Sequence, residues 1–403
     1  MRNKMPKARI SKTLAAALLT GGISAAALMM ATQLRAQTPA PVAPPPAAAA
    51  APAAAPPAEA PAGMIPATEI PFFAEWVGSP HADKKGEPFT HWNKEGVIPA
   101  ECARCHSTPG FRDFVGADGS TAGKIDRPAP IGTVITCVAC HNNKTAGLTS
   151  VVFPSGKKVE KQGGSAICMT CHQGVESVVS VNAKLKGIAD DTIEPKLAFI
   201  NVHYAAAGAM LFGNGAAAGY EYPGKTYAGR YPHKEPYVTC TNCHTTHTLA
   251  VKVDDCAACH KEVTNKASLH TIRVGKADRD GNGNINEGVA QEIEQLRGKL
   301  LAAIMDYAKT VSAKPVLYDS HAYPYFFNDK NGNGEVDKGE AIFPNRYLSW
   351  TPRLMKAAYN YQFVTKDPGA YAHNGPYAIE LLQDSLADLG AKVKVDLGKA
   401  VRP

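Results

Sequence analysis

All ten cysteines of this chain fall in five Cys-x-x-Cys-His units. Units one to five are, in chain order, Cys102/Cys105/His106, Cys137/Cys140/His141, Cys168/Cys171/His172, Cys240/Cys243/His244 and Cys256/Cys259/His260. This spacing is the attachment signature of c-type haem, in which two thiols bond to the ring and the adjacent histidine binds the iron. Paired cysteines also build zinc sites, but zinc does not require a histidine after every pair. The units therefore predict five covalently bound haem c groups, with the five unit histidines as proximal ligands.

The histidines outside the units are candidates for the second axial ligand of each iron. Thirteen histidines less the five proximal ones leave eight, more than the five that bis-histidine ligation requires. The distal candidates are His81, His203, His233, His247 and His270, with His91, His321 and His373 in reserve. Methionine is the alternative ligand at any one haem, where it would raise the potential. If all positions are filled, no iron is open to a substrate.

His247 follows unit four closely, in the stretch CTNCHTTH. The chain is still on the proximal face of its own haem three residues after His244, so His247 cannot reach the opposite face. If His247 binds an iron, that iron belongs to a neighbouring haem. We therefore predict that one short peptide holds two irons.

Two loops after the last unit resemble calcium-binding sequences. The loop DKNGNGEVDKGE matches an EF-hand loop, with Gly334 at the sharp turn. Its predicted ligands are Asp329, Asn331, Asn333, the Glu335 carbonyl, Asp337 and Glu340. The loop DRDGNGNINEGV is a weaker match, because Val289 stands where the closing glutamate belongs and Glu287 or Glu292 must replace it. Its other predicted ligands are Asp278, Asp280, Asn282 and Asn284. The alternative is two Asn/Gly-rich surface turns; a static calcium clamp is the role we expect.

The N-terminus predicts export. Basic residues precede an uncharged apolar run from Thr13 to Met30, and Leu34-Arg35-Ala36 resembles a cleavage site, so residues 1–36 are interpreted as a signal peptide. An uncleaved membrane anchor is the rival interpretation. Residues 37–66 contain 13 Ala and 10 Pro, a composition typical of a spacer and not of a folded core. The expected location is the periplasm or the cell surface. If the N-terminal segment is an uncleaved anchor, it would tether the protein to the membrane.

The charge balance gives no support for nucleic-acid binding. The formal net charge is +7, but six basic and no acidic residues lie in residues 1–36, which leaves +1 for the remainder. Five haems would bring this to about −4 when oxidised and about −9 when reduced.

The expected fold is mostly α-helical with extensive loops. Within residues 67–265, the attachment region from unit one to unit five carries one unit about every 32 residues, which leaves too few ordinary side chains for a conventional core, so stacked haems must supply much of the interior. Residues 266–403 contain no cysteine and are predicted to form a helical module. One amphipathic helix repeats Val289, Ile293, Leu296, Leu300 and Ile304. A second starts at Thr351-Pro352, and a third runs from near Asn374 to Gly390.

The chain resembles the bis-histidine multihaem c-type cytochromes that bacteria export for respiratory and extracellular electron transfer. Nearly all of residues 67–403 contribute, and besides the units the resemblance rests on the stretches SPHADKKGEPFTHWNKEG, HYAAAGAMLFGNGAAAGYEYPGKTYAGR, CTNCHTTH and the tail from WTPRLMKAAYNYQ through KDPGAYAHNGPYAIELLQDSL. In such proteins the unit histidines are proximal ligands and other histidines, from the same chain or a neighbouring subunit, are distal. The tail resemblance makes His373 a stronger distal candidate than its distance from the cysteines implies.

The expected function is electron transfer and not catalysis. The resemblance implies single-electron exchange with other redox proteins, such as cytochromes or a membrane quinol oxidoreductase. Two alternatives stay open: a multihaem reductase with one open haem, and a subunit of a cytochrome filament that self-assembles.

Overall fold

The computed structural model describes residues 69–273 and 275–403 of the chain. The predicted signal peptide and the Ala/Pro-rich linker therefore lie outside the described residues. Within those two ranges, no helix is long and apolar enough to span a membrane.

The described chain is rich in helices and loops and contains little sheet, as expected. The helices are α1 (Phe73–Val77), α2 (Glu87–Thr90), α3 (Ala100–His106), α4 (Thr108–Phe114), α5 (Cys137–Cys140), α6 (Ser165–Cys171), α7 (Val178–Leu185), α8 (Ala207–Phe212), α9 (Cys240–Cys243), α10 (Val253–Ala257), α11 (Val289–Thr310), α12 (Pro352–Thr365) and α13 (Ala370–Leu389). The strands pair antiparallel as β1 (Val97–Ile98) with β2 (Ala129–Pro130), β3 (Val151–Val152) with β4 (Lys158–Val159), and β5 (Val316–Tyr318) with β6 (Phe326–Asn328). Single 3-10 turns occupy Pro80–Ala82, Thr145–Gly147, Gly213–Gly215, Ala267–Thr271 and Phe343–Asn345.

Four of the five cysteine pairs lie within single helical turns, which explains why many helices are short, and in unit five Cys259 follows the end of helix α10. Residues three apart share one face of a helix, so both thiols of a pair point to the same side. Helices α5 and α9 consist only of the four residues from the first to the second cysteine of their units. The backbone amides of four unit histidines donate to the carbonyl of the first cysteine at 2.8–3.0 Å: His141, His172, His244 and His260. Each histidine is thereby held one turn beyond the first cysteine.

The three long helices form where the sequence predicts them. Helix α11 buries Ile293, Leu296, Leu300 and Ile304 along one face. Helix α12 starts at Pro352, and the Thr351 hydroxyl caps it by accepting from the Leu354 amide. Helix α13 begins four residues earlier than predicted, but its backbone is non-helical at Asn374, so the regular part starts where the sequence indicates.

The main hydrophobic core joins residues 151–220 to helices α11, α12 and α13. It includes Phe153, Met169 and Met210 from the haem-unit half of the chain and Trp350 and Tyr377 from the C-terminal half. The described residues belong to one compact unit. Because one core includes both sides of the expected boundary at residue 265, the division into two domains stays a prediction.

Candidate haem and calcium sites

Three unit histidines face a second histidine across a gap. The ring centroids of His172 and His81 are 6.3 Å apart with an interplanar angle of 21°. For His141 and His247 the values are 6.1 Å and 16°.

The unit-one histidine His106 faces His203 at 5.8 Å, with planes crossed at 75°. Both residues are part-buried, and burial lowers the pKa of each ring. All three pairs combine a proximal residue with a distal candidate from the sequence.

These separations fit two imidazoles bound to one metal ion. A metal–nitrogen bond is about 2.0–2.1 Å, and the centre of an imidazole lies roughly 1.2 Å from its nitrogens, so two axial rings should have centroids about 6.4 Å apart. Directly stacked rings would be closer: Phe72 lies 4.6 Å from His247 with its plane at 10°. The three histidine pairs therefore leave the space that an iron needs.

Backbone carbonyls orient three of the proximal rings. The Nδ1 atoms lie 2.8 Å from the Pro88 oxygen for His106, 3.0 Å from the Ala205 oxygen for His172 and 3.2 Å from the Leu249 oxygen for His244. A carbonyl oxygen can only accept, so each Nδ1 carries the proton and Nε2 keeps its lone pair for a metal.

Burial also favours the neutral, ligating form of His81. It lowers the pKa of this ring to about 4, with a further lowering from the neighbouring His172. A neutral imidazole at neutral pH is the form that binds iron.

The reserve candidate His373 is held by a carboxylate instead. Its Nδ1 donates to both carboxylate oxygens of buried Asp367, at 2.9 and 2.8 Å. Burial works against the charged ring, but the Asp367 charge and hydrogen bond outweigh burial and raise the pKa of His373. His373 lies close enough to His244 and to His172 to influence the charge of both rings. It is therefore placed near units three and four.

The other four candidates lie at the surface or beside tyrosines. His91, His233, His270 and His321 are exposed. The His233 ring lies 6.0 Å from Tyr237, and the His270 ring lies 5.0 Å from Tyr371. Both tyrosines are close to unit-five cysteines, Tyr237 to Cys259 and Cys256 and Tyr371 to Cys256.

Cysteines of different units lie next to one another. The Cys105 thiol of unit one lies close enough to the Cys171 thiol of unit three for each to change the pKa of the other, and the same holds for Cys168 of unit three and Cys240 of unit four.

Weaker charge effects link the two remaining units. They join Cys140 of unit two to both cysteines of unit three, and Cys243 of unit four to Cys256 of unit five. Unit three thus has units one, two and four as neighbours, and unit five adjoins unit four.

An open cavity adjoins the distal side of unit three. It measures about 620 Å³ and is lined by residues 77–80 and 82–85, on both sides of His81. A second cavity of about 470 Å³ lies against helix α3, where Glu101 and Arg104 line it together with Phe153. Both open beside predicted haem-binding elements.

The second calcium-like loop along the chain, residues 329–340, has the hydrogen bonds of a preformed turn. The two Asp329 carboxylate oxygens accept from the amides of Gly332 and Gly334 at 2.6 and 2.8 Å, and both glycines have positive φ. Glu340 is buried and accepts from the Lys330 amide at 2.8 Å. The Asn331 side chain donates to Asp337 at 2.7 Å.

The first calcium-like loop along the chain, residues 278–289, repeats this pattern, with a different closing residue. Asp278 accepts from the Gly281 and Gly283 amides, both at 2.7 Å. Glu292 accepts from the Arg279 amide at 2.8 Å, the position that corresponds to Lys330 in the other loop. Glu292, one of the two residues considered from the sequence, therefore takes the place of Glu340.

Glu287 and Arg273 complete the first loop. Glu287 accepts a hydrogen bond from the Asn282 side chain at 2.7 Å. Arg273 lies 3.4 Å from Glu292 and already balances part of its charge. In the described parts of the chain, neither loop gathers three His, Cys, Asp or Glu side chains in a metal-binding cluster. Calcium would therefore depend on asparagine and backbone oxygens as well.

Residues 87–173, which contain units one to three, match the family described as cytochrome c7 and related cytochrome c. The C-type polyheme cytochrome OmcB of Geobacter sulfurreducens is 27% identical over 358 residues, which cover 74% of this chain and 45% of the relative. OmcC of the same organism is 27% identical over 366 residues, covering 75% of this chain and 44% of the relative. These similarities support a multihaem c-type cytochrome. The chain spans less than half the length of these curated relatives, and no solved structure matches it.

Similarity to cytochromes c implies covalently bound haem c and supports electron transfer by c-type haems. Sequence reasoning missed the groups that orient the ligands. Pro88, Ala205 and Leu249 act through backbone carbonyls, which leave no side-chain signal. Asp367 could have been considered from the sequence, because it precedes His373 by only six residues in the stretch KDPGAYAH.

Proposed function

We propose that the chain carries single electrons through five haem c groups, each with two histidine ligands. The observation that carries the proposal is the set of three histidine pairs with centroids 5.8–6.3 Å apart. Each pair joins a unit histidine to one far away in sequence, and each leaves room for one iron. Zinc bound at the cysteine pairs would not require these gaps between distant histidine rings.

We propose His203, His247 and His81 as the distal ligands of units one, two and three, and the three histidine pairs support this choice. For unit four we propose His373, because it lies near His244 and its Nδ1 is fixed by Asp367. For unit five, His233 and His270 are the two candidates nearest its cysteines.

Contacts between cysteines support a branched haem order. Each cysteine would bond to the edge of its own ring, so neighbouring thiols of two units would bring two ring edges together. The closeness of Cys105 to Cys171 and of Cys168 to Cys240 supports a haem of unit three between those of units one and four. Unit five extends the path beyond unit four, and unit two joins at unit three.

The haem supplies reversible exchange of one electron between ferric and ferrous iron. The protein residues hold each ring by two thiols, aim the imidazole Nε2 atoms and exclude water from the ligand positions. With two protein ligands on each iron, no position is left for a substrate, which separates this function from a multihaem reductase. We further propose export to the periplasm or cell surface, with other redox proteins as partners.

Low-temperature EPR with magnetic circular dichroism on the oxidised holoprotein tests the proposal. Five low-spin haems per chain are expected, with no binding of cyanide or carbon monoxide. One stoichiometric high-spin iron that binds these ligands would instead establish a reductase-type site. Size-exclusion chromatography and electron microscopy of the same sample distinguish a monomeric carrier from a filament subunit.

The two loops that begin at Asp278 and Asp329 are proposed to be structural calcium sites. Burial raises the pKa of Asp280, and so do the charge of Glu287 and a hydrogen bond with Asp278, so a cation in the first loop would relieve unfavourable interactions of this carboxylate. This loop also holds the C-terminal tail, because the Val401 amide donates to the Asp278 carbonyl at 2.8 Å. A calcium ion would hold the tail by fixing the loop.

A further inference from the structure

Three consecutive residues, 203 to 205, connect two of the proposed haems. His203 faces His106 of unit one, and the carbonyl of Ala205 accepts from Nδ1 of His172 of unit three. His203 and Ala205 have φ of 81° and 49°, a left-handed conformation that costs energy for residues other than glycine. The fold therefore holds this strained segment in place by outside contacts.

The main outside contact is Lys366, at the end of helix α12. Its carbonyl accepts from the Ala205 amide at 2.9 Å. Its side chain is buried, with Nζ 4.0 Å from the Tyr204 ring centroid and 4.3 Å from the Tyr325 ring centroid. Nζ also donates to the Ser320 carbonyl at 2.9 Å.

No acidic side chain within the described residues forms an ion pair with Lys366. Burial lowers the pKa of this amine to about 8, and the charge of Asp319 opposes this shift only in part, so most of the amine is protonated at neutral pH. Burying a charge without a direct ion-pair partner is costly, and two aromatic faces are only partial compensation. Lys366 is thus a fixed positive charge beside the residue that follows His203.

The next residue, Asp367, places a buried carboxylate on a different histidine. Both of its oxygens accept from Nδ1 of His373, the proposed distal ligand of unit four. The three proximal rings described above donate to neutral carbonyls instead. A carboxylate partner makes an imidazole a stronger electron donor to a metal.

We propose that Lys366 and Asp367 set the order of the haem potentials, with the unit-one haem raised and the unit-four haem lowered. Reduction adds an electron to the iron, so a nearby cation favours the reduced form and a nearby anion favours the oxidised form. Adjacent residues of opposite charge thereby bias electron flow from unit four through unit three to unit one. This inference rests on the proposed function.

The expected size follows from the distances. Lys366 Nζ lies 4.0 Å from the Tyr204 ring, whose centroid lies 5.6 Å from that of His203. An iron bound by His203 is then at most about 13 Å from the amine. At an effective dielectric constant of about 20, this charge changes the equilibrium constant for reduction roughly tenfold, equivalent to about 59 mV for a one-electron couple.

An EPR-monitored redox titration of the wild-type holoprotein gives the first test. The planes of His106 and His203 cross at 75°, whereas those of the pairs in units two and three lie at 16° and 21°. Crossed axial imidazoles give a highly anisotropic low-spin ferric signal, and near-parallel ones give a rhombic signal. The anisotropic signal should therefore be the first of the five to disappear on reduction.

Two variants and one control give the second test. Lys366→Met should lower the highest midpoint potential by about the 59 mV of a tenfold change, and Asp367→Asn should raise the lowest. Lys392→Met removes the same charge from a surface ion pair with Asp191, 3.0 Å long, and should shift neither.

The outcomes separate this inference from the function on which it rests. Fewer than five attached haems, or an open high-spin iron in the wild type, would count against the proposed function. Five low-spin haems in which the anisotropic signal is not reduced first would overturn the inference alone. A folded Lys366→Met protein with the potentials of the Lys392→Met control would overturn it as well. If Lys366→Met does not fold, the wild-type titration still decides.

Discussion

Removal of His247 is the most direct test of the ligand assignments, because the sequence excludes the haem of unit four but leaves the neighbouring haem open, and the structure points to unit two. His247 follows the unit-four histidine by three residues, and its ring faces His141 of unit two at 6.1 Å. Phe72 stacks on the His247 ring at 4.6 Å. His247→Ala should therefore leave unit two, and not unit four, with one axial ligand.

The expected magnitude is one iron in five. The thiols of Cys137 and Cys140 are untouched, so haem attachment should be complete and the haem content unchanged. One ferric iron of five, about 20%, should become high-spin, because loss of a strong-field axial ligand leaves the site open or bound to water. The same site should bind one cyanide per chain, and added imidazole should restore the low-spin spectrum.

EPR spin quantitation measures this fraction, and the controls use other histidines. His321→Ala alters an exposed histidine and should leave the spectrum unchanged. The double variant His81→Ala/His247→Ala removes ligands from two separate pairs and should double the high-spin fraction. An unchanged spectrum in His247→Ala would refute the assignment, and so would a double variant with no more high-spin iron than either single variant.

Three further predictions concern stability. In Gly110→Ala the new methyl group would lie 2.3 Å from a backbone carbonyl of helix α3, which carries unit one, so the thermal unfolding free energy should fall by about 1–3 kcal/mol; Gly298→Ala, with open space around it, is the control and should not destabilise. A calcium chelator should lower the melting temperature of the wild type, and Glu340→Gln should remove most of that response; equal responses in both proteins would argue against calcium in the second loop. Burial alone would raise the pKa of Asp191, but hydrogen bonds from the Arg353 guanidinium and others lower it below its ordinary value. Its contribution to stability is present above the unfolded pKa of about 3.9 and is lost as the pH falls through the folded value, so Asp191→Asn should destabilise at pH 7 and flatten the acid limb of the stability curve.

The sequence predicted the features that depend on short-range spacing. The apolar repeat from Val289 to Ile304 forms a helix that buries this face. Capping by Thr351 and the stop at Gly390 are equally local. In each case the chemistry of a few neighbouring residues decides the backbone, so little depends on the rest of the fold.

Pairing of the histidines could not be predicted in the same way. His81 and His172 are 91 positions apart, and nothing in either local sequence identifies the other. The sequence argument placed His247 on a neighbouring haem without saying which, because the choice depends on how the loop after unit four packs against unit two. The effect of the Lys366 and Asp367 charges could likewise not be predicted from the sequence, because it depends on the burial of Lys366 beside Tyr204 and of Asp367 beside His373.

The distribution of burial explains why haem must be part of the folded state. Between residues 229 and 262, all of which the structure describes, no residue is buried and none packs against a hydrophobic core, although this segment carries units four and five. Units one to three, in contrast, adjoin buried clusters that include Ala103, Ala139 and Met169. A segment of this kind gains little from apolar burial to offset its loss of conformational entropy. Two porphyrins, attached 16 residues apart at Cys240 and Cys256, would supply the missing apolar surface, so this part of the fold and its electron path depend on the same groups.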